Sequence, residues 1–589
     1  MRAEALYERG MRMGPVLTWL GLFLATACGG ERRFPLREPL WRDTDLQAVS
    51  VPCTARPSDE DPQHIACAPE PYESPLAWDG ADNMVFRPVT RVFALEAPDQ
   101  AVNVNAFDEV PDSAWFENRI GKRHPSRAEL LRGACTPEQM LSEPPAPGGW
   151  TIDRGKTNGA SLGFRVRTPQ GGKFMFKNDA PGQPERATAA SVIGAAIYHA
   201  VGYFTSCEQI VYFDKRALHL NPGLTVTDNS GVTRAFDGAA LDHVLSEANR
   251  RAEQYRMQAS GWLPGYLIGP FRYERTRSDD PNDAIAHDDR RELRGGRVLA
   301  AWLNHFDARE QNTMDSWIAS NPGAGHDSSP GYVRHYYIDT SDSFGSEWSW
   351  DGVSRRLGRS YILDWGDIAY DFVTLGTQTR SWERLSRRPG FELFGYYGAD
   401  EFDPDGWKNE YPNPAFSRAT EHDNAWMARI MSRLEPDEIP ALVALGQFSQ
   451  PAHAAYLANV LEARLQKILQ RYFSELSPLA DPQLSARGEL CFTDLARRRG
   501  VWPETRFEYS ADVTTETETR ALPVQRGAAG RVCVQLAHRS FAPELEPGAA
   551  ARYLTVTLSN LAARQPLRAH LYDLGARWGF ALVGLERVD

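Results

Sequence analysis

His305-Phe306-Asp307-Ala308-Arg309-Glu310-Gln311-Asn312 and Ile338-Asp339-Thr340-Ser341-Asp342-Ser343-Phe344-Gly345 decide how this chain is read. The first stretch follows an amphipathic run, Val298 to Leu303, and sets an Asn five residues after an Asp. The second puts Asp339 at the end of the run Val333 to Ile338, interrupted by Arg334 and His335. An Asp just past a helix can accept a hydrogen bond from a hydroxyl group. An Asn amide oxygen on the same tight loop is a hard ligand suited to magnesium or manganese. An Asp at a strand end, before a turn of small residues, is a second such ligand. Asp342 is its rival, because Asp342-Ser343-Phe344-Gly345 is an Asp-Phe-Gly with one insertion. Its place directly after the strand favours Asp339.

Upstream lies Lys173-Phe174-Met175-Phe176-Lys177, whose alternation predicts a strand with both lysines on one face and both phenylalanines on the other. Lysine stands at only seven positions, so one inside a strand is conspicuous. At the inner end of such a strand its point charge would meet phosphates. Gly155, Gly159 and Gly163 lie between the two preceding strands; they either cover a phosphate or simply turn the chain. A helix is expected from Pro184 and Glu185 to about Ala200, stopped by Gly202. It carries Ser191 near its midpoint, where a phosphate-binding lysine needs a carboxylate. Its only acid is Glu185, read either as the ion-pair partner of Lys177 or as charge compensation at the helix N-terminus. Arg309 would neutralise a travelling phosphoryl group or steady Asp307, and His305 is read as architectural.

Asp307 to Asn312 resembles the Asp-Arg-x-x-x-Asn loop of HipA-type kinases and the matching loop of the secreted Golgi casein and xylose kinases. Asp339 to Gly345 resembles the Asp-Asn-Gly-x-Gly-Phe-Gly run of those Golgi enzymes, and the spore-coat CotH kinases belong to the same broad group. The likeness covers roughly residues 150–480. It implies an α+β, two-lobed protein-kinase-like fold, ATP or another nucleotide with Mg²⁺ or Mn²⁺, and a protein or sugar (glycan) hydroxyl as acceptor. Carried over by position, Lys177 binds phosphates together with Glu185, Gly159 and Gly163. Asp307 is the base, helped by Arg309, and Asn312 and Asp339 hold metal. Phe306 stands where many protein kinases have an Arg that grips a phosphorylated loop, which implies no control of that kind.

The rest of the chain frames this core. A net charge of −12 over 589 residues leaves no basic surplus for nucleic acid. Arg2, Arg9 and Arg12 precede an apolar run, Val16 to Thr26, that is too short to span a bilayer. Leu24-Ala25-Thr26-Ala27-Cys28 resembles a bacterial lipobox, so residues 1–28 are expected to be a lipoprotein signal peptide, with lipid on Cys28 and a place in the cell envelope at the outer membrane. Six further cysteines suggest disulfides. Cys53–Cys67 and Cys491–Cys533 are the local pairings, which leaves Cys135–Cys207, although spacing does not fix the connectivity. Residues 29–83 read as a Pro- and acid-rich tether and 84–149 as an extension with strand-like pieces at 85–89 and 91–95. Residues 150–235 read as a small lobe, 236–485 as a helical large lobe and 486–589 as a β-rich domain. The acidic stretch 279–289 reads as a solvated loop rather than a calcium site. Trp348, Trp350, Trp365 and Trp382 read as core or interface aromatics, with glycan stacking as the lesser alternative.

Three functions follow, in order: an exported, lipid-anchored atypical kinase; a pseudokinase serving as an envelope binding module, favoured by the missing mid-helix carboxylate; and a metal-dependent hydrolase using His305, Asp307 and Asp339.

Overall fold

A computed structural model describes residues 33–36, 41–52, 56–57, 65–91, 99–141, 147–156, 161–227, 232–320, 326–327 and 329–587. Residues 1–28 with Cys28, together with Cys53 and Gly159, lie outside them.

The fold is α+β. Strands β1 (Trp150–Gly155), β2 (Gly163–Arg167) and β3 (Lys173–Lys177) lead into helix α1 (Arg186–Val201). The short β4 (Phe204–Thr205), β5 (Glu208–Phe213) and β6 (Leu218–Leu220) follow, then β7 (Asn249–Arg251), β8 (Gln254–Gly261) and β9 (Tyr266–Leu267). Helix α2 (Arg291–Leu303) precedes β10 (Thr313–Ala319) and β11 (Gly331–Tyr337). The first sheet runs β7-β8-β3-β2-β1-β6, with β5 also paired to β8. Trp150, Phe164, Phe174, Phe176, Phe213 and Met257 give it a core of its own. Phe174 and Phe176 are 2% and 0% exposed, while Lys173, Met175 and Lys177 face the other side. Each buried Phe contributes about 1.5–3 kcal/mol, which fixes which way β3 faces.

The reading of 236–485 as a helical large lobe is corrected at its start by β7 and β8. Apolar alternation is hidden there because two polar side chains of β8, Arg256 and Gln258, are themselves buried. Arg256 reaches Asp179 at 3.3 Å, and Gln258 donates to Glu208 at 2.6 Å.

A second sheet runs β9-β10-β11-β4, with Thr313 opposite Tyr337. Helix α2 lies against α3 (Glu421–Met431) and α4 (Pro451–Glu475) around a separate core that includes Trp302, Trp426, Leu465 and Tyr472. Beyond α4 come a four-stranded and a five-stranded antiparallel sheet. Their first strand, Leu479–Leu484, begins ahead of the expected boundary at 486 because a bulge around Asp481 (φ 53°) breaks its alternation. Cys135–Cys207 and Cys491–Cys533 are bridged, as exported proteins allow. Cys67 is disulfide-bonded, but its expected partner Cys53 lies outside the described residues.

Three more expectations are overturned. Residues 85–89 are helical: a π-helical turn, Asp82–Phe86, continues into Arg87–Arg91. Pro88 has no N–H to give the Met84 carbonyl one turn back, and Trp365 Nε1 donates to that carbonyl instead at 2.8 Å. Part of the stretch read as tether is also structured. Leu76–Ala81 is helical, with Asp79 buried beneath Tyr411. The acidic stretch 279–289 is not solvated either: Asp280, Asn282 and Asp283 are buried, and Asp283 accepts from His287 at 2.7 Å.

Candidate functional site

One left-handed residue and two backbone hydrogen bonds bring the two decisive loops together. Asn304 ends α2 in the left-handed region (φ 54°), which turns His305 to Asn312 back across the helix end. Ile338 N–H donates to the Asn312 carbonyl at 3.1 Å, and Phe344 N–H donates to that of Leu303 at 2.9 Å. Asn312 Nδ2 donates to the Asp307 carboxylate (2.6 Å) and to its carbonyl (2.8 Å). With its amide nitrogen so used, Asn312 keeps its amide oxygen for a ligand. Lys177, from the end of β3, places Nζ 3.1 Å from Asp339 Oδ2, while Ser341 N–H donates to Oδ1 at 3.0 Å.

The site is rich in acid, with Asp307 buried and Lys177, Asn312 and Asp339 half-buried. Burial raises the Asp307 carboxyl well above the usual range, and Asp342 and Asp339 add to the rise against Arg309. Burial would raise Asp339 as well, but Lys177 and the Ser341 contacts outweigh it and hold that carboxyl below the ordinary value. Burial alone would lower Lys177; Asp339 and Glu208 overcome this and hold it above its usual value. His305 is fully buried, accepts or donates at Tyr198 Oη (2.8 Å), and is lowered to about 4 by burial. Its Nε2 lies 3.4 Å from Asp307 Oδ1. Arg309 pairs with Glu410 rather than with Asp307.

Not every candidate converges here. Glu185 sits at the N-cap of α1 with φ 69°, and its carboxylate accepts from Ser449 N (2.9 Å) and Oγ (3.1 Å), not from Lys177. Gly163 faces Lys177 in the β2–β3 register, and a Cβ there would lie 2.1 Å from the Phe176 carbonyl oxygen. That glycine is demanded by strand packing. His305, Asp307 and Asp339 do not form a shared metal cage. Among the described residues the one such group of three is Glu489, Cys491 and Cys533, whose cysteines are bonded to each other.

Several site residues escaped the sequence reading. Glu208 lies opposite Ser260 on β8, and Lys177 lies opposite Gln258, so all four side chains share one face of the sheet. Glu208 is buried and accepts from Ser206 (2.6 Å), Ser260 (2.7 Å) and Gln258 (2.6 Å). It supplies the sheet-borne negative charge beside Lys177 that α1 lacks. The middle of α1 has no room for one: a Cβ on Gly194 would meet Thr340 Oγ1 at 2.5 Å. Lys156 Nζ donates to the Ser161 carbonyl at 2.6 Å and is lowered to about 8, by burial and then by Lys177. Arg186 opens α1 and holds the 341–346 turn by donating to the carbonyls of Ser341 (2.7 Å) and Ser343 (2.9 Å).

The segment before the first sheet walls one side of the loop. Gln311 donates to Ser74 Oγ (2.8 Å) and Asp79 (3.2 Å), and Glu310 accepts from Tyr72 (2.9 Å) and Ser74 (2.7 Å). A cleft of about 860 Å³ lies between that segment and Arg272, Glu274, Asp288 and Glu310.

Comparison with protein-family models, with curated proteins and with solved structures finds no match to this chain.

Proposed function

We propose that the chain is an atypical kinase that transfers a phosphoryl group from a metal-bound nucleotide to a protein or sugar hydroxyl. The observation that carries this reading is the 3.1 Å Lys177–Asp339 contact, 162 residues apart in sequence, beside the hydrogen-bonded Asp307 and Asn312. On this reading the first sheet is the small lobe and α2 to α4 belong to the large lobe of a two-lobed, kinase-like fold.

The donor set fits a hard divalent cation such as Mg²⁺ or Mn²⁺. Asp307 Oδ1 is buried with no hydrogen-bond partner, and Asn312 and Asp339 contribute oxygen ligands. Asn312 and Asp339 would hold the ion, which neutralises phosphate charge when bound. Lys177 and Lys156 would bring positive charge to the nucleotide's phosphates, with Glu208 keeping Lys177 on its face of the sheet. Asp307, steadied by Asn312, would accept the acceptor hydroxyl's hydrogen bond and orient its oxygen. In keeping with the disulfides, the enzyme would work outside the cytoplasm, anchored through Cys28 in a bacterial envelope at the outer membrane.

A second reading, a pseudokinase acting as a binding module, is favoured by one feature: α1 offers Lys177 no carboxylate. Thermal unfolding with Mg-ATP separates the two. A nucleotide at a hundred times its Kd adds about 2.7 kcal/mol of stability. The kinase reading expects that shift, and expects Asp339→Ala to abolish it. An Asp339→Ala protein stabilised as much as the parent would refute the metal assignment.

A further inference from the structure

One buried guanidinium in this protein faces more carboxylates than it can neutralise. Arg290, at the N-cap of α2, is fully buried. Its Nη1 lies 2.7 Å from Asp43 Oδ2 and 3.4 Å from Glu292 Oε1, and its Nη2 lies 3.5 Å from Asp45 Oδ2 and 4.0 Å from Asp283 Oδ1. Among the described residues, the one further cation paired with these four acids is His287, 2.7 Å from Asp283 Oδ2. Two cations against four carboxylates leave a buried excess of negative charge, which is costly unless something neutralises it. Among the described residues these oxygens do not converge as a metal cage, so a proton is the simplest neutraliser. Hydrogen bonding tells which carboxylate keeps it. Asp43 takes the closest guanidinium contact and the Asp45 N–H at 3.3 Å. Glu292 accepts from Asn103 Nδ2 at 2.5 Å. Asp283 Oδ1 has no donor, but its Oδ2 takes both His287 and the Arg277 N–H at 2.5 Å. Asp45 Oδ1 accepts only the Ala114 N–H, at 3.0 Å, and its buried Oδ2 has no hydrogen-bond partner.

Asp43 and Asp45 belong to a segment, residues 41–49, laid across the body of the protein. Asn282 donates to the Gln47 carbonyl, and Val49 pairs with Gly331 at the start of β11 through two backbone hydrogen bonds of 2.8 and 3.0 Å. Leu46 is 39% exposed, so polar contacts carry much of the segment's hold. We infer that residues 41–49 form a proton-controlled strap, closed while Asp45 keeps a proton and loosened when that proton leaves and the cluster gains a further buried charge. The charged groups facing Asp45 are Arg290, Asp43 and Glu292, with Asp283 and its partner His287 across the guanidinium. Burial pushes the Asp45 carboxyl from 3.8 up to about 7, and Asp43 and Glu292 add to the rise against Arg290 and the Ala114 N–H. A raised folded value means that the hold is full below about pH 4 and is lost as the pH rises to about 7. Release would lengthen the chain between any N-terminal attachment and the body by up to about 30 Å. The strap does not depend on the kinase reading.

The test follows amide hydrogen exchange of the full chain from about pH 5 to about pH 8.5, corrected for intrinsic rates. The Ala114 and Val49 amides report on the strap, because their acceptors are Asp45 Oδ1 and the Gly331 carbonyl. Their opening constant should rise roughly a hundredfold between about pH 5 and about pH 7 and level off above that. Asp45→Asn keeps an acceptor for Ala114 without the charge, and should hold the strap closed over the whole range. A flat profile in the parent overturns the inference. So does an equal rise in Asp45→Asn, which would put the proton on another carboxylate. A rise shared by amides of every element overturns it too, because it would mark global destabilisation instead of local release.

Discussion

Two buried acidic centres in this molecule are built to opposite rules. At Asp108 cation matches acid: Arg291 Nη1 reaches Oδ1 at 2.5 Å, Arg429 Nη2 reaches Oδ2 at 3.1 Å, and Arg587 also binds Oδ2, while Arg291 pairs with Asp423 as well and Arg429 with Glu109. Every partner comes from a different element, namely α2, α3 and the final strand Phe580–Arg587. At Asp307 acid exceeds cation: Asp339 and Asp342 add negative charge, Lys177 is committed to Asp339, Arg309 is committed to Glu410, and Oδ1 accepts no hydrogen bond, with His305 Nε2 3.4 Å away. The first arrangement balances its charges and ties three elements together. The second is left in need of positive charge, which is what a site for a metal and phosphates requires.

The comparison breaks if substitutions in the two centres have the same effects. The largest expected effect is on turnover: Asp307→Asn should lower phosphotransfer by roughly 10²- to 10⁴-fold with little change in unfolding midpoint, measured on any acceptor that turns over. Next, Asp108→Asn should cost about 3–5 kcal/mol in denaturant unfolding, because three buried guanidiniums lose their shared carboxylate. Any nucleotide affinity should survive that change. The same centre predicts acid behaviour. Burial alone would raise Asp108, but its three arginines hold it far below the ordinary carboxylate range. A depressed folded pKa means that its stabilisation is fully present above about pH 4 and is lost as the pH falls below that value. Asp108→Asn should therefore flatten the acid limb of a stability–pH profile. A smaller effect is expected at Glu208→Gln, roughly a tenfold loss of nucleotide affinity through Lys177. The smallest is at Glu185→Gln, which should leave nucleotide binding unchanged, because that carboxylate bonds only to Ser449 among its described partners. A large loss at Glu185 together with none at Glu208 would reverse the roles given to these two acids.

The strand of Lys177 and the loops of Asp307 and Asp339 were legible because their information is local: alternation, five-residue spacing and the end of an apolar run. The first sheet was only partly legible. Strand β8 carries Arg256 and Gln258 on buried positions, and their polarity disguises a strand until Asp179 and Glu208, 77 and 50 residues away, are seen to satisfy them. Glu208 was invisible as a site residue for the same reason, since its relation to Lys177 exists only through the register of β8 with both neighbours. The wall built by Tyr72, Ser74 and Asp79 was hidden by composition. A Pro- and acid-rich stretch reads as solvated until Gln311 and Tyr411, more than 200 residues on, take up its polar groups.

Gly194 lets α1 touch Thr340, the residue next to Asp339. Helix and turn are thereby geared to each other, and Arg186 adds a second tooth at the other end of the turn. A swing of α1 would drag Asp339 away from Lys177 in the same motion. Any signal that tilts this helix therefore throws a single switch, and a bulky residue at 194 would jam it.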